Sequence, residues 1–171
     1  MPDYDVRRLE PSDFDTLMAL EQELFGDQGE KTLGPFYVRL CCDLFNDTCF
    51  IAFADGQAAG YCLSFVRGRE AYCSTLAIAP AHQRSRLVFR FVQAFIGAIA
   101  SRVDTLWFTV HEGNADARAL HATLGARETA YHDAYFGPGE PRIVSRIDRV
   151  AFEKLRARMS RLGLTASAAV A

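Results

Sequence analysis

Lysine is almost missing from this chain. Of its 19 basic residues only Lys31 and Lys154 are lysine, and the others are arginine. The skew reads as a composition bias. An excess of one charge is missing too: 21 acidic and 19 basic residues leave a formal net charge of -2. That excludes a broadly nucleic-acid-coating protein, which needs a strongly basic surface, but leaves room for a small cationic site. No apolar run reaches the roughly 18–20 residues that a membrane-spanning helix needs. The first ten residues alternate charges where a signal peptide has an apolar core. The five cysteines are Cys41, Cys42, Cys49, Cys62 and Cys73, an odd number with no CxxC pair. Neither a zinc site nor a secreted disulfide framework is indicated, so they read as reduced, mostly buried thiols of a cytoplasmic protein. His82, His111, His121 and His132 lack pairing such as HxxxH, and no metal is expected. There is no GxSxG nucleophile elbow. Cys73 has no visible activating base and reads as a sheet-packing thiol.

What is present suits one domain. The 171 residues are 50% hydrophobic and 23% charged, enough for a full core without staples. Residues 4–9 suit a first strand. A helix follows, with Ser12 as the expected N-cap and Asp15 as its capping-box partner. Its buried face is Phe14, Leu17, Met18, Leu20, Leu24 and Phe25. A second helix is expected over 33–45, holding Phe36, Leu40 and Leu44. Strands are expected at 49–54, 59–66 and 71–78, the first two joined by the turn signal Asp55-Gly56. A long apolar helix follows at 87–100, then a strand at 104–110 and a short helix at 115–124 stopped by Gly125. A last strand pair, 127–136 and 142–147, surrounds Gly137-Pro138-Gly139. Residues 149–162 read as an amphipathic helix with Val150, Phe152, Leu155 and Met159 on one side. The order predicts an α/β (α+β) fold, a mixed, mostly antiparallel twisted sheet of six to seven strands flanked by helices. The expected organisation is one domain over 1–148, an added helix over 149–163 and a flexible small-residue tail over 164–171.

Two segments carry a resemblance. The first is Leu76-Ala77-Ile78-Ala79-Pro80-Ala81-His82-Gln83-Arg84-Ser85-Arg86-Leu87-Val88. The second is Asn114-x-x-Ala117-x-x-Leu120-His121-x-x-Leu124-Gly125-Ala126. Together, and in this order, they resemble the GNAT superfamily of N-acetyltransferases over roughly residues 4–148. The first resembles that family's acyl-CoA motif, an apolar strand and a Pro followed by Arg/Gln-x-x-Gly-x-Gly/Ala entering a helix. The resemblance implies a GNAT fold with acetyl-CoA as acyl donor and no metal. It implies donor-binding roles for Leu76, Ala77, Ile78, Gln83, Arg84, Ser85, Arg86, Leu87, Val88, Asn114 and Ala117. Elementary physics supports such a site. A strand-to-helix loop offers backbone N–H groups without intrahelical partners, and the helix dipole adds potential for a pyrophosphate. A strand edge can hydrogen-bond the amides of a pantetheine arm. The chain departs from the family pattern at its two small positions, which are Arg86 and Val88 here. Donor binding is expected to survive the loss of glycine, with Arg84 or Arg86 adding a charge-assisted contact. The alternative is weakened or lost binding.

Asn114 is expected to cap the helix that follows it. His121 stands where the family often has Tyr, and the resemblance implies a general acid for the departing thiolate. The general base is open among Glu23, Glu70, Glu112 and His111, with Tyr131, His132 and Tyr135 facing an acceptor pocket. Acidic Glu21, Glu23, Asp27 and Glu30 hint at a cationic acceptor. The function expected is acetyl transfer to a primary amine of a small metabolite, amino acid or peptide by direct attack in a ternary complex. The alternatives are a degenerate domain that senses acyl-CoA or a metabolite, and an enzyme using a longer acyl donor. No nucleic-acid or membrane partner is expected, and the C-terminal helix is compatible with a homodimer.

Overall fold

The computed structural model describes residues 3–28 and 31–161. Seven strands form one sheet: β1 (Tyr4–Arg8), β2 (Phe50–Ala54), β3 (Gln57–Arg67), β4 (Glu70–Ile78), β5 (Thr105–Val110), β6 (Arg127–His132) and β7 (Arg142–Ile147). Their order across the sheet is β1-β2-β3-β4-β5-β7-β6. Every neighbouring pair is antiparallel except β4 and β5. That parallel pair needs a long crossover, which α3 (Leu87–Ile99) supplies.

Alternation in the strands sorts two cores. Phe50, Ala52 and Ala54 of β2 face one side, where they pack with Phe91, Phe95 and Ile99 of α3. Ile51 and Phe53 face the other, with Leu17, Leu20 and Leu24 of α1 (Phe14–Leu24) and Val38, Cys41 and Cys42 of α2 (Pro35–Asp43). On the α3 side, α4 (Ala115–Thr123) contributes Leu120, and α5 (Arg149–Arg161) buries Phe152, Leu155 and Met159 in the same core. The expected tail, 164–171, lies outside the described residues. Among the described residues no helix is long and apolar enough to cross a membrane. All five cysteines are free and buried, Cys73 included.

Several local expectations need correction. Residues Pro11–Asp13 form a 3-10 turn before α1, and Ser12 is exposed. The carboxylate of Asp13 accepts from the Glu10 N–H at 2.7 Å and holds Arg7 through two bonds of 2.7 Å. The ion pair, not a hydroxyl, therefore fixes this helix start. In α2 the expected apolar face is turned outward: Phe36, Leu40 and Leu44 are exposed. Proline at the first position starts the helix two residues late, and Val38, Cys41 and Cys42 occupy the core side. The strand expected over 127–136 stops at His132, because residues 133–141 form a loop closed by Tyr135 N–H to Glu140 C=O, 3.0 Å.

The sheet opens where β4 and β5 part. They pair only from Glu70/Thr105 to Cys73/Phe108. Beyond that point β4 stays with β3 up to Ile78, and β5 stays with β7 up to Val110. The extra residue Ser74 lies between two registered pairs, Ser64/Cys73 and Leu63/Thr75. Such a bulge bends and twists a strand, and it sits at the parting point. Ser74 Oγ is anchored there by Tyr37 Oη at 2.6 Å.

Candidate active site

The parted strands form a cleft of about 1070 Å³. One wall is the β4 edge, with Ser74, Thr75, Leu76 and Ile78; the other is Thr109 and Val110 of β5 and His111, the residue after it. Facing the β5 side, the β4 backbone beyond Cys73 has no ladder partner, so its N–H and C=O groups are available to an extended ligand. The floor is apolar, with Phe91, Val92, Phe95 and Phe108.

The loop into α3 closes one end. Pro80–His82 is a 3-10 turn, and Gln83, Arg84 and Val88 line the cleft. At the helix start Ser85 Oγ accepts from the Leu87 N–H at 3.1 Å. The left-handed residue of this loop is Arg84, at φ 59°. Arg86, a position where glycine is absent, has φ -71° and ψ -4°. Any L-residue adopts that conformation, so the loop forms without glycine.

The α4 start also lines the cleft, with Asn114, Asp116 and Ala117. Asn114 Oδ1 accepts from the Ala117 N–H at 3.0 Å, the expected cap. His121, about two helical turns further on, is buried and stacked on Phe108, with ring centroids 4.2 Å apart and an interplanar angle of 18°. Burial pushes its pKa down to about 4, against a small opposing pull from Glu128. The ring is therefore neutral at pH 7. Its Nδ1 is buried without a hydrogen-bond partner among the described residues. Orphaned buried polar atoms are rare, and this one belongs to a cleft-lining ring. A polar ligand atom fits it.

Residues 14–126 match the acetyltransferase (GNAT) family. The chain belongs to the GNAT family. It is accordingly an acyltransferase. It is 30% identical over 117 residues to the [ribosomal protein bS18]-alanine N-acetyltransferase of Salmonella typhimurium, covering 68% of this chain and 69% of that protein. Among solved structures it resembles the diaminobutyrate acetyltransferase of Paenibacillus lautus in complex with L-2,4-diaminobutyric acid and coenzyme A. There the TM-score is 0.66 at 23% identity, over 85% of this chain and 95% of that one. The ribosomal-protein-S18-alanine N-acetyltransferase of Escherichia coli gives a TM-score of 0.70 at 22% identity, over 85% and 94% of the two chains. At these identities the two structures attest the fold.

On this GNAT fold the expected donor residues divide. Leu76, Ile78, Gln83, Arg84, Val88, Asn114 and Ala117 line the cleft. The Ala77 side chain is buried on the opposite face, among the α1 and α2 core. Leu87, the first residue of α3, is buried in the core, and Arg86 is exposed at the helix start. The candidate bases scatter. Glu23 is exposed on α1, and Glu112 is exposed after β5. Glu70 is at the paired end of β4, engaged by Arg146 Nη1 at 2.5 Å. His111 lines the cleft, and its Nδ1 accepts from the Gly113 N–H at 3.1 Å. In the neutral ring that bond leaves the proton on Nε2, a donor. Tyr131 and His132 are exposed on β6, and Tyr135 is half-buried in the loop after it.

The acidic hint near α1 does not reach the cleft. Glu21 is buried, and its carboxylate accepts from the Leu33 N–H at 2.8 Å and from the Tyr61 hydroxyl. Asp27 is held by Gln22 at 3.0 Å, and Glu30 lies outside the described residues. Sequence reasoning missed Phe25, Leu33, Thr109, Phe136 and Arg142, which also line the cleft. They come from five separate segments and form no local motif. One signal was available for Arg142: it shares the half-buried face of β7 with Val144 and Arg146, while Ile143, Ser145 and Ile147 alternate as its buried face.

Proposed function

We propose that this protein transfers the acetyl group of acetyl-CoA to a primary amine, by direct attack within a ternary complex in the cleft. The observation that carries the reading is the unpaired β4 edge ending beside a helix start lined by Gln83, Arg84 and Val88. The edge would hold the pantetheine amides, and the start of α3 with Arg84 would meet the phosphates. His121 is neutral at pH 7. It serves the departing sulfur as a hydrogen-bond donor, and the proton count closes when the amine loses a proton as the C–S bond breaks and the thiolate gains one. The one carboxylate lining the cleft among the described residues is Asp116, in the first turn of α4. No side-chain base is therefore assigned. Water takes the proton from the incoming ammonium, and proximity with backbone N–H groups supplies most of the rate.

Calorimetry with acetyl-CoA and release of free thiol across a panel of amines test this. The expected result is saturable binding in the micromolar range and acceptor-dependent thiol. Absence of heat and saturation at millimolar acetyl-CoA sinks the reading. Binding without turnover favours the sensor alternative, for which the glycine-free loop is the motivating observation.

A further inference from the structure

We propose that Arg142 makes the acceptor end of the cleft selective for a small primary amine carrying its own carboxylate, of the free amino-acid class, with an apolar or aromatic remainder. The inference rests on the acetyl-transfer reading and adds the substrate class. We place the acceptor where the α1–α2 and β6–β7 segments, tied by Lys31 and Glu140, meet the cleft: Phe25, Leu33 and Phe136 supply apolar wall, and Thr109, His111 and Arg142 are polar members of the lining. Arg142 is the one permanently charged side chain there among the described residues, and its side chain is 21% exposed.

The guanidinium has donors to spare. Nη1 donates to the Pro141 carbonyl at 2.7 Å, and the plane lies 5.0 Å from the Phe136 ring centroid. Its acidic neighbour Glu140 stands off at 3.5 Å, longer than the 2.7–2.9 Å or so of a close charge-assisted bond. The reason is competition. The other Glu140 oxygen is held by Lys31 Nζ at 2.9 Å. Two cations thus share one carboxylate, and Arg142, the one of the three that lines the cleft, is left incompletely compensated beside Phe136. A guanidinium matches a carboxylate in a planar, two-point fashion. The same field opposes a diamine, and it lowers the pKa of an incoming ammonium, which favours the neutral amine that must attack. Lys31 and Glu140 also tie the α1–α2 loop to the β6–β7 loop. A peptide chain leaving the cleft between those loops must displace them, and a small acceptor need not.

The test is thiol release from acetyl-CoA with matched acceptors: L-amino acids with aliphatic and aromatic side chains, their carboxamides, a diamine, and a tripeptide with a free N-terminus. The acids are expected to exceed their amides by about tenfold or more in kcat/KM. Arg142→Met should bring that ratio close to one, chiefly through KM for the acids, with a melting temperature near the parent's to show that it folds. Should it not fold, exposed Lys31 gives a second probe: Lys31→Ala lets Glu140 close on Arg142 and lowers the same ratio. Amides, diamine or tripeptide equal to or better than the acids overturns the inference and leaves acetyl transfer standing. A ratio that Arg142→Met or Lys31→Ala does not change also overturns it. Acetyl-CoA binding with no turnover of any acceptor overturns the selectivity, and absent binding overturns both readings.

Discussion

Arg84 occupies the left-handed region at φ 59°, where a side chain crowds its own backbone and costs roughly 1–2 kcal/mol. The strain is local to a cleft-lining residue. Replacement by glycine relieves it, and part of the gain is offset by the greater freedom of the unfolded chain. Arg84→Gly is therefore expected to raise stability slightly, by up to about 1 kcal/mol. It also removes a guanidinium from the proposed phosphate end. Acetyl-CoA affinity should fall about five- to tenfold and become less sensitive to salt. Thermal melting and calorimetry on the same variant check this. A variant with unchanged affinity would place the Arg84 side chain outside donor binding.

At the scale of elements, the cleft depends on how closely β3 and β4 approach. Gly60 pairs with Ile78. A Cβ added there would lie 2.6 Å from the Ala77 carbonyl oxygen and 3.1 Å from the Phe91 ring. The first contact is backbone, which cannot rotate away. Gly60→Ala should destabilise the fold by about 1–3 kcal/mol and push the end of β4 toward the cleft. Weaker acetyl-CoA binding is expected alongside a lower denaturant midpoint. Unchanged stability and binding would contradict the close approach. The helix starts follow a different logic. Asn114 caps α4 as its residue type suggests, whereas α1 is entered through the Arg7–Asp13 pair, which joins residues on either side of a turn.

For the whole molecule, His121 links the cleft to acid stability. Its folded pKa of about 4 lies below the ordinary 6.5. Between those values the unfolded chain binds a proton that the folded chain does not. Stability present above pH 6.5 is therefore lost as pH falls toward 4. The loss is at most about 3.5 kcal/mol, at roughly 1.4 kcal/mol per pKa unit. Asp13, held below the ordinary carboxylate value by its bonds to Arg7, loses its contribution only at lower pH, so the two windows separate. The denaturant midpoint should drop between pH 7.5 and 5, and His121→Phe should flatten that drop. A wild-type midpoint independent of pH across this range would show that the ring titrates normally. The α5 helix belongs to the same cooperative unit, since Phe152 is 1% exposed within the core built by α3.

The sequence by itself determined the element order, the mixed, mostly antiparallel sheet and the two segments that line the proposed donor end. These are local or periodic properties: strand alternation, an apolar helical run, an Asn cap, a turn before a helix. It did not determine which face of α2 is buried, because Phe36, Leu40 and Leu44 present as regular a stripe as Val38, Cys41 and Cys42. Only packing against β2 and β3 chose between them. Nor did it settle the proposed acceptor end. Acidic residues cluster around α1 in the sequence, yet folding turns Glu21 to Tyr61 and Leu33 and leaves Glu23 in solvent. Arg142 arrives instead from the far end of the chain. The reason is that side-chain direction and neighbours more than a hundred residues away decide a site's charge, as Lys31 and Glu140 do. The parting of β4 from β5 is likewise tertiary: it needs β3 and β7 to hold the two strands apart beyond Cys73 and Phe108.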